Sequence, residues 1–134
     1  MLSCMATSLL TWMVGRKRSF GYAIKGLGTL YRETNARIHA VATVCVFAIG
    51  ASFGLRPLEW TMLAIAATVV WVAEALNTSL EALSDATVPE HSPHIAIVKD
   101  VAAGAVLLAS LGAVAVGLLV FVPHLTARFG VPSW

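Results

Sequence analysis

The stretch "VAEALNTSLEALSD", Val72 to Asp85, closes a long apolar run that begins near Leu58, yet it carries two glutamates, an asparagine and an aspartate. At about 100° per residue from Glu74, Asn77 lies at about 300°, Thr78 at about 40°, Glu81 at about 340° and Asp85 at about 20°. As a helix, the segment therefore carries Glu74, Asn77, Thr78, Glu81 and Asp85 on one face, while Ala73, Ala75, Leu76, Leu80 and Ala82 between them are apolar or small. A charge inside an apolar span is costly and faces a bundle interior or a watery cavity, so the stripe marks a candidate functional site. A ring of interfacial salt bridges that locks a bundle would account for Lys99 and Glu33. It accounts less well for Glu74, which has no cation beside it in sequence.

The surroundings of the stripe agree with a membrane. The 134 residues leave room for one domain, and they are 58% hydrophobic but only 12% charged, where a soluble protein carries about a quarter charged residues. Mean hydropathy is +0.82. Apolar stretches run from about Ala40 to Leu55, from Leu58 past Val72, and from Val101 to Val122. A span needs roughly 20 apolar residues to cross a core of about 30 Å, so three spanning helices are expected, the first somewhat short.

Charge sets the expected orientation. Of nine Lys and Arg residues, Arg16, Lys17, Arg18, Lys25, Arg32, Arg37 and Lys99 fall before the first span or in the loop between the second and third. Only Arg56 and Arg128 fall on the other side. This bias puts the N-terminus and the second loop in the cytoplasm, with the "GLRPLEW" turn and the C-terminal tail outside. The net charge of +2 then serves topology and anionic headgroups, and nucleic acid is not an expected partner. If the second helix enters from outside at Leu58, Glu74 lies about 24 Å down, about 6 Å short of the cytoplasmic edge, and Glu81 lies beyond it. Glu74 would meet the headgroup end of a lipid, and Glu81 whatever the cytoplasm delivers.

Ahead of the spans, Phe20, Ala23, Ile24, Leu27 and Tyr31 recur at helical spacing while Lys25, Thr29 and Arg32 face elsewhere. That pattern predicts an amphipathic surface helix over Ser19 to Glu33, with Ser19 as its cap and Gly21, Gly26 and Gly28 weakening it. Residues 1–18 are expected as a disordered extension, 19–123 as the membrane domain and 124–134 as a short extracytoplasmic tail. No cleaved signal is read at the N-terminus, because the basic cluster Arg16-Lys17-Arg18 follows the apolar part; Met13 is an alternative start. Cys4 and Cys45 stand alone and suggest neither a disulfide framework nor a metal pair. His91 and His94, in the loop "VPEHSPHI", are separated by Pro93 with no further ligand nearby, and a solvated turn is expected there rather than a metal site.

Other segments bring polar groups to the level of the stripe. "YRETNARIH" offers Glu33, Asn35, Arg37 and His39, and "KDVAAGA" offers Lys99 and Asp100. Carboxylates with an asparagine and a lysine suit Mg²⁺-bound nucleotide phosphates, which require hard oxygen ligands and a point charge for the phosphoryl oxygens. A P-loop is excluded: Gly21 and Gly26 have the spacing, but Leu27 stands where the lysine belongs.

The segments "GYAIKGL", "RETNARIH", "EALNTSLEALSD" and "KDVAAGAV", in that order and separated by spans of suitable length, resemble the bacterial membrane kinases called diacylglycerol kinase and undecaprenol kinase. The resemblance covers about Phe20 to Val122, and its E-x-x-N-T-x-x-E followed by K-D-x-x-A-G-A is specific. It implies an all-α integral membrane protein, a homotrimer of three-span subunits in the bacterial cytoplasmic membrane. Active sites would lie between subunits at the cytoplasmic face, with ATP as donor and Mg²⁺ as cofactor. By the same resemblance Glu74 would be the base that takes the proton from a lipid hydroxyl, a task that an apolar setting favours. Glu33 and Glu81 would hold Mg²⁺, Asn77 would help orient the site, and Lys99 would neutralise the transferring phosphoryl. Asp100 would orient Lys99 or bind nucleotide, and Arg16, Arg18 and Tyr22 would meet the nucleotide's base and outer phosphates. Ser79 departs from the usual alanine but points away from the stripe, and the loop before Lys99 has its own sequence.

Two alternatives remain open. "RIH" at Arg37 to His39 and "EW" at Glu59 and Trp60 look more like the undecaprenol kinases than the diacylglycerol kinases, though both features lie outside the chemistry. A small proton-coupled exporter would use Glu74 as proton carrier. It leaves Glu33, Glu81 and the Lys99-Asp100 pair without work, and three spans are an odd topology for inverted repeats.

Overall fold

The computed structural model describes residues 2–87 and 92–130, with side chains from residue 16 onward. Its described residues form helices α1 (Leu2–Leu30), α2 (Thr34–Phe53), α3 (Pro57–Thr87) and α4 (Pro93–Arg128), without a strand among them. The chain divides at the Glu33–Thr34 step into two units, each described by itself. His91 and the end of the C-terminal tail lie outside the described residues.

The first unit is α1 and the turn after it. α1 starts at Leu2, ahead of Ser19, which the capping pattern suggests as the start of the helix. No proline occurs before Pro57, and Ser19, Gly21 and the other glycines weaken a helix without stopping it. From Arg16 to Thr29 every side chain is exposed, and Leu30 is buried. The helix ends in tightened turns, where the Arg32 N–H donates to the Thr29 carbonyl and the Glu33 N–H to the Leu30 carbonyl, each at 3.0 Å.

The second unit contains three helices long and apolar enough to cross a membrane, over Thr34–Phe53, Pro57–Thr87 and Pro93–Arg128. α2 is stopped by Gly54, whose φ of +65° is the left-handed conformation that favours glycine at a helix end. α3 restarts at once because its first turn is capped from within. Pro57 occupies the first helical position, and the Glu59 carboxylate reaches back to accept the Arg56 backbone N–H at 2.7 Å. Glu59 also accepts the Arg56 guanidinium at 2.8 Å and faces His124 Nε2 of α4 at 3.2 Å. The hydrogen bond from Arg56 to Glu59, and secondly the charge of Glu59, raise the Arg56 pKa further. α4 starts with Pro93 after Ser92 and runs through Pro123 to Arg128. It therefore takes in the first residues of the expected tail.

α3 packs mainly on α4, and α2 touches both less extensively. Leu63, Val70, Asn77 and Ser84 are buried at seven-residue intervals along α3, with Glu74 between them. A seven-residue repeat is the period of a left-handed helix pair, so these residues form the seam toward α4. The seam changes character along its length. At the α2–α3 turn it has an apolar cluster, with Leu55, Leu63 and Val120 surrounded by Val46, Phe53, Trp60, Val116 and Phe121, beside buried Glu59. Toward the far end of α3 it becomes polar. Between the two, the Trp71 indole N–H donates to Thr43 Oγ1 at 3.2 Å and ties α3 to α2.

Candidate active site

The stripe residues Glu74, Asn77, Thr78, Glu81 and Asp85 fall on one face of α3, and their exposure rises in sequence order. Glu74 is 1% exposed and Asn77 is 4% exposed. Thr78 and Glu81 are half-buried, and the Asp85 side chain is 69% exposed. The stripe is thus closed at Glu74 and open at Asp85. Ser79, off the stripe, is exposed and returns its hydroxyl to the Ala75 carbonyl at 2.7 Å, so it stays out of the site.

Within the stripe the Asn77 amide donates from Nδ2 to Glu81 Oε1 at 3.3 Å, the contact expected between side chains four residues apart on a helix. This fixes the amide so that Oδ1 faces the other way, and Oδ1 is buried without a hydrogen-bond partner. A buried acceptor left unsatisfied costs about 1–3 kcal/mol, which a bound donor or cation recovers. Asn77 also lines an apolar groove of about 640 Å³ between α3 and α4, whose walls include Val69, Val72 and Leu80 on one side and Val98 and Val101 on the other. One end of an apolar chain and one polar group could share that groove with the amide.

α4 contributes Lys99. Its ammonium lies 2.5 Å from Asp85 Oδ1, an ion pair that crosses from α4 to the open end of the stripe. The resemblance implies that Asp100 orients Lys99 or binds nucleotide; in the structure the Lys99 ammonium contacts Asp85, and Asp100 is exposed. Neighbouring residues on a helix point about 100° apart, so Asp100 is poorly placed to share a target with Lys99. Asp85 was visible in sequence as a member of the stripe, but its partner sits on another helix. Ser84, 4% exposed, had no sequence signal beyond the seven-residue repeat.

Glu33, Arg16, Arg18 and Tyr22 belong to the first unit, where all are exposed. Among the described residues, no three His, Cys, Asp or Glu side chains converge as a metal cage. Mg²⁺ at a phosphoryl-transfer site is commonly held through one or two carboxylates with the substrate's phosphates supplying further oxygens. Half-buried Glu81, beside the Asn77 amide, fits that kind of site.

Comparison with known proteins agrees with the geometry. Residues 21–121 match the family described as Prokaryotic diacylglycerol kinase. A "Diacylglycerol kinase" of Synechocystis sp. is 38% identical over 109 residues, covering 80% of this chain and 62% of that relative, so the chain spans less than two thirds of its length. An "Undecaprenol kinase" of Bacillus subtilis is 33% identical over 109 residues, covering 81% of this chain and 89% of the relative. With a match over the three apolar helices and the polar stripe alike, the chain belongs to the prokaryotic diacylglycerol kinase family.

Proposed function

We propose that the chain is a membrane-embedded lipid kinase that transfers the γ-phosphoryl group of ATP to the hydroxyl of a membrane lipid alcohol, with undecaprenol as the acceptor. The observation that carries this reading is the gradient on α3. A carboxylate 1% exposed stands at the closed end of a polar line within an apolar helix, and carboxylates of increasing exposure follow it toward water. Such a line lets a lipid hydroxyl and a water-borne nucleotide meet while each stays in its own medium.

Glu74 serves as the base. As the lipid oxygen forms its bond to the γ-phosphorus and the bond to the ADP oxygen breaks, the hydroxyl proton passes to the Glu74 carboxylate. Asn77 orients Glu81 through its amide and presents Oδ1 to a donor on the substrate. Lys99 offsets the charge on the phosphoryl oxygens. Glu81 and Glu33 would hold Mg²⁺, which supplies charge neutralisation at the phosphates when bound. Arg16, Arg18, Tyr22 and Asp100 are proposed as further nucleotide contacts. The apolar groove beside Asn77 suits the chain of a lipid acceptor. We further propose a homotrimer in the bacterial cytoplasmic membrane, with α1 lying on the cytoplasmic surface and the open end of the stripe facing the cytoplasm.

Diacylglycerol is the second acceptor reading, supported by the name of the 38% identical relative. Purified protein with Mg²⁺, labelled ATP and a panel of undecaprenol, shorter prenols and diacylglycerol tests both. Lipid-dependent phosphorylation is expected, with undecaprenol preferred. ATP turnover indifferent to every lipid alcohol would reject the kinase reading, and a preference for diacylglycerol would reverse the order of acceptors.

A further inference from the structure

We propose that Asp85 is a positioning residue for phosphoryl transfer, holding the Lys99 ammonium at the open end of the α3 carboxylate line. The proposal rests on the reading of Lys99 as the group that neutralises the phosphoryl oxygens, and it adds a residue to which no role has been given.

Three observations carry it. Asp85 lies on the stripe, four residues after Glu81, and so about 6 Å further along the axis and on nearly the same face. Lys99 comes from a different helix, yet its ammonium reaches Asp85 Oδ1 at 2.5 Å, which brings it onto the α3 face one turn from Glu81. The pair spans α3 and α4 on either side of the loop that joins them, at the end of the seam where exposure is greatest.

Helix stability does not explain an aspartate at this place. Asp85 is in the last turn of α3, where the partial negative charge of the helix end disfavours a carboxylate. Nor does the pair act as a lock, since its two side chains are 36% and 69% exposed and exposed ion pairs add little to stability. What the contact does is restrict a long, flexible side chain. An unrestrained lysine samples many rotamers, and fixing the ammonium beforehand lowers the cost of placing it when transfer begins. An ammonium has three donors, so one spent on Asp85 leaves two for phosphoryl oxygens. Asp85 therefore directs Lys99 without occupying it.

The test is a double-mutant cycle on the full-length protein in lipid, with kcat, the KM for ATP and melting measured for each variant. Asp85→Asn keeps the shape and removes the charge. It is expected to lower kcat by about three- to tenfold with KM for ATP and melting nearly unchanged, and Asp85→Glu is expected to restore most of the loss. In the Lys99→Met background, whose residual transfer is followed over long incubations, Asp85→Asn should add nothing. Wild-type kcat for Asp85→Asn alongside a slow Lys99→Met would overturn the positioning role while leaving Lys99 its own. An equal loss in both backgrounds would show Asp85 acting independently of Lys99 and also overturn it. Normal kcat for Lys99→Met would instead sink the reading of Lys99 on which the proposal rests.

Discussion

In the proposed function, Glu74 is the residue on which the chemistry turns. It is 1% exposed in a helix whose neighbouring positions are apolar, and removing its charge while keeping its shape separates its roles. Glu74→Gln is expected to leave nucleotide affinity near normal and to slow transfer by roughly 10²- to 10⁴-fold, the usual contribution of a positioned base. Melting should hold or rise, because a buried charge is replaced by a neutral amide. Lost nucleotide affinity would move Glu74 among the metal ligands, and a destabilised protein would make it a structural lock. About two turns further on, at Glu81, the expectation reverses. Glu81→Gln retains an acceptor for the Asn77 amide but loses the anionic oxygen that Mg²⁺ prefers, so ATP binding should weaken when Mg²⁺ is limiting. Glu33→Gln should do the same, and a titration of nucleotide binding against Mg²⁺ that matches wild type would remove either residue from the metal.

At the scale of elements, α3 was the most legible part of the chain. Its period, its polar face and the withdrawal of Ser79 all follow from 100° per residue, because a helix turns sequence spacing directly into direction. The limits of α1 were less legible. Ser19 and the glycines are signals of preference worth about 1 kcal/mol or less each, and nothing as strong as a proline separates residues 2–18 from the rest. Contacts between helices were not legible at all. The Lys99–Asp85 pair and the meeting of Glu59 with His124 depend on how α3 and α4 pass each other, and single-helix geometry does not contain that register. The α2–α3 corner gives a prediction of the same kind. A Cβ at Gly50 would meet Leu55 Cδ1 and Trp60 Cη2 at 3.0 Å. Leu55 is buried and the Trp60 ring leans on Phe47 at 5.5 Å between centroids, so neither yields freely. Gly50→Ala should cost about 1–3 kcal/mol through overpacking, read as a lower melting temperature in detergent, and an unchanged melting curve would mean that the corner relaxes.

For the whole molecule, the number of crossings and the placement of charge make one joint statement. Three helices long and apolar enough to span put the segment before α2 and the end of α4 on opposite sides of a membrane. The basic residues then distinguish the sides. In the sequence, Arg16, Lys17, Arg18, Lys25, Arg32, Arg37 and Lys99 fall before the first span or between the second and third, whereas Arg56 and Arg128 fall in the remaining connections; Arg56 is paired with Glu59 and the Arg128 guanidinium lies 5.8 Å from the Phe53 ring centre. Cytoplasmic loops carry the excess of Lys and Arg, which supports the proposed orientation with Asp85 and Lys99 inside, where ATP would be supplied. With Cys4 and Cys45 replaced by serine and alanine, single cysteines at Ser19 and at Phe129 provide the test in intact cells. A membrane-impermeant thiol reagent should label Phe129→Cys directly and Ser19→Cys only after permeabilisation. The inverse pattern would put the open end of the stripe on the outer side, where no ATP is supplied, and the kinase reading would then lose its donor whatever the chemistry of Glu74.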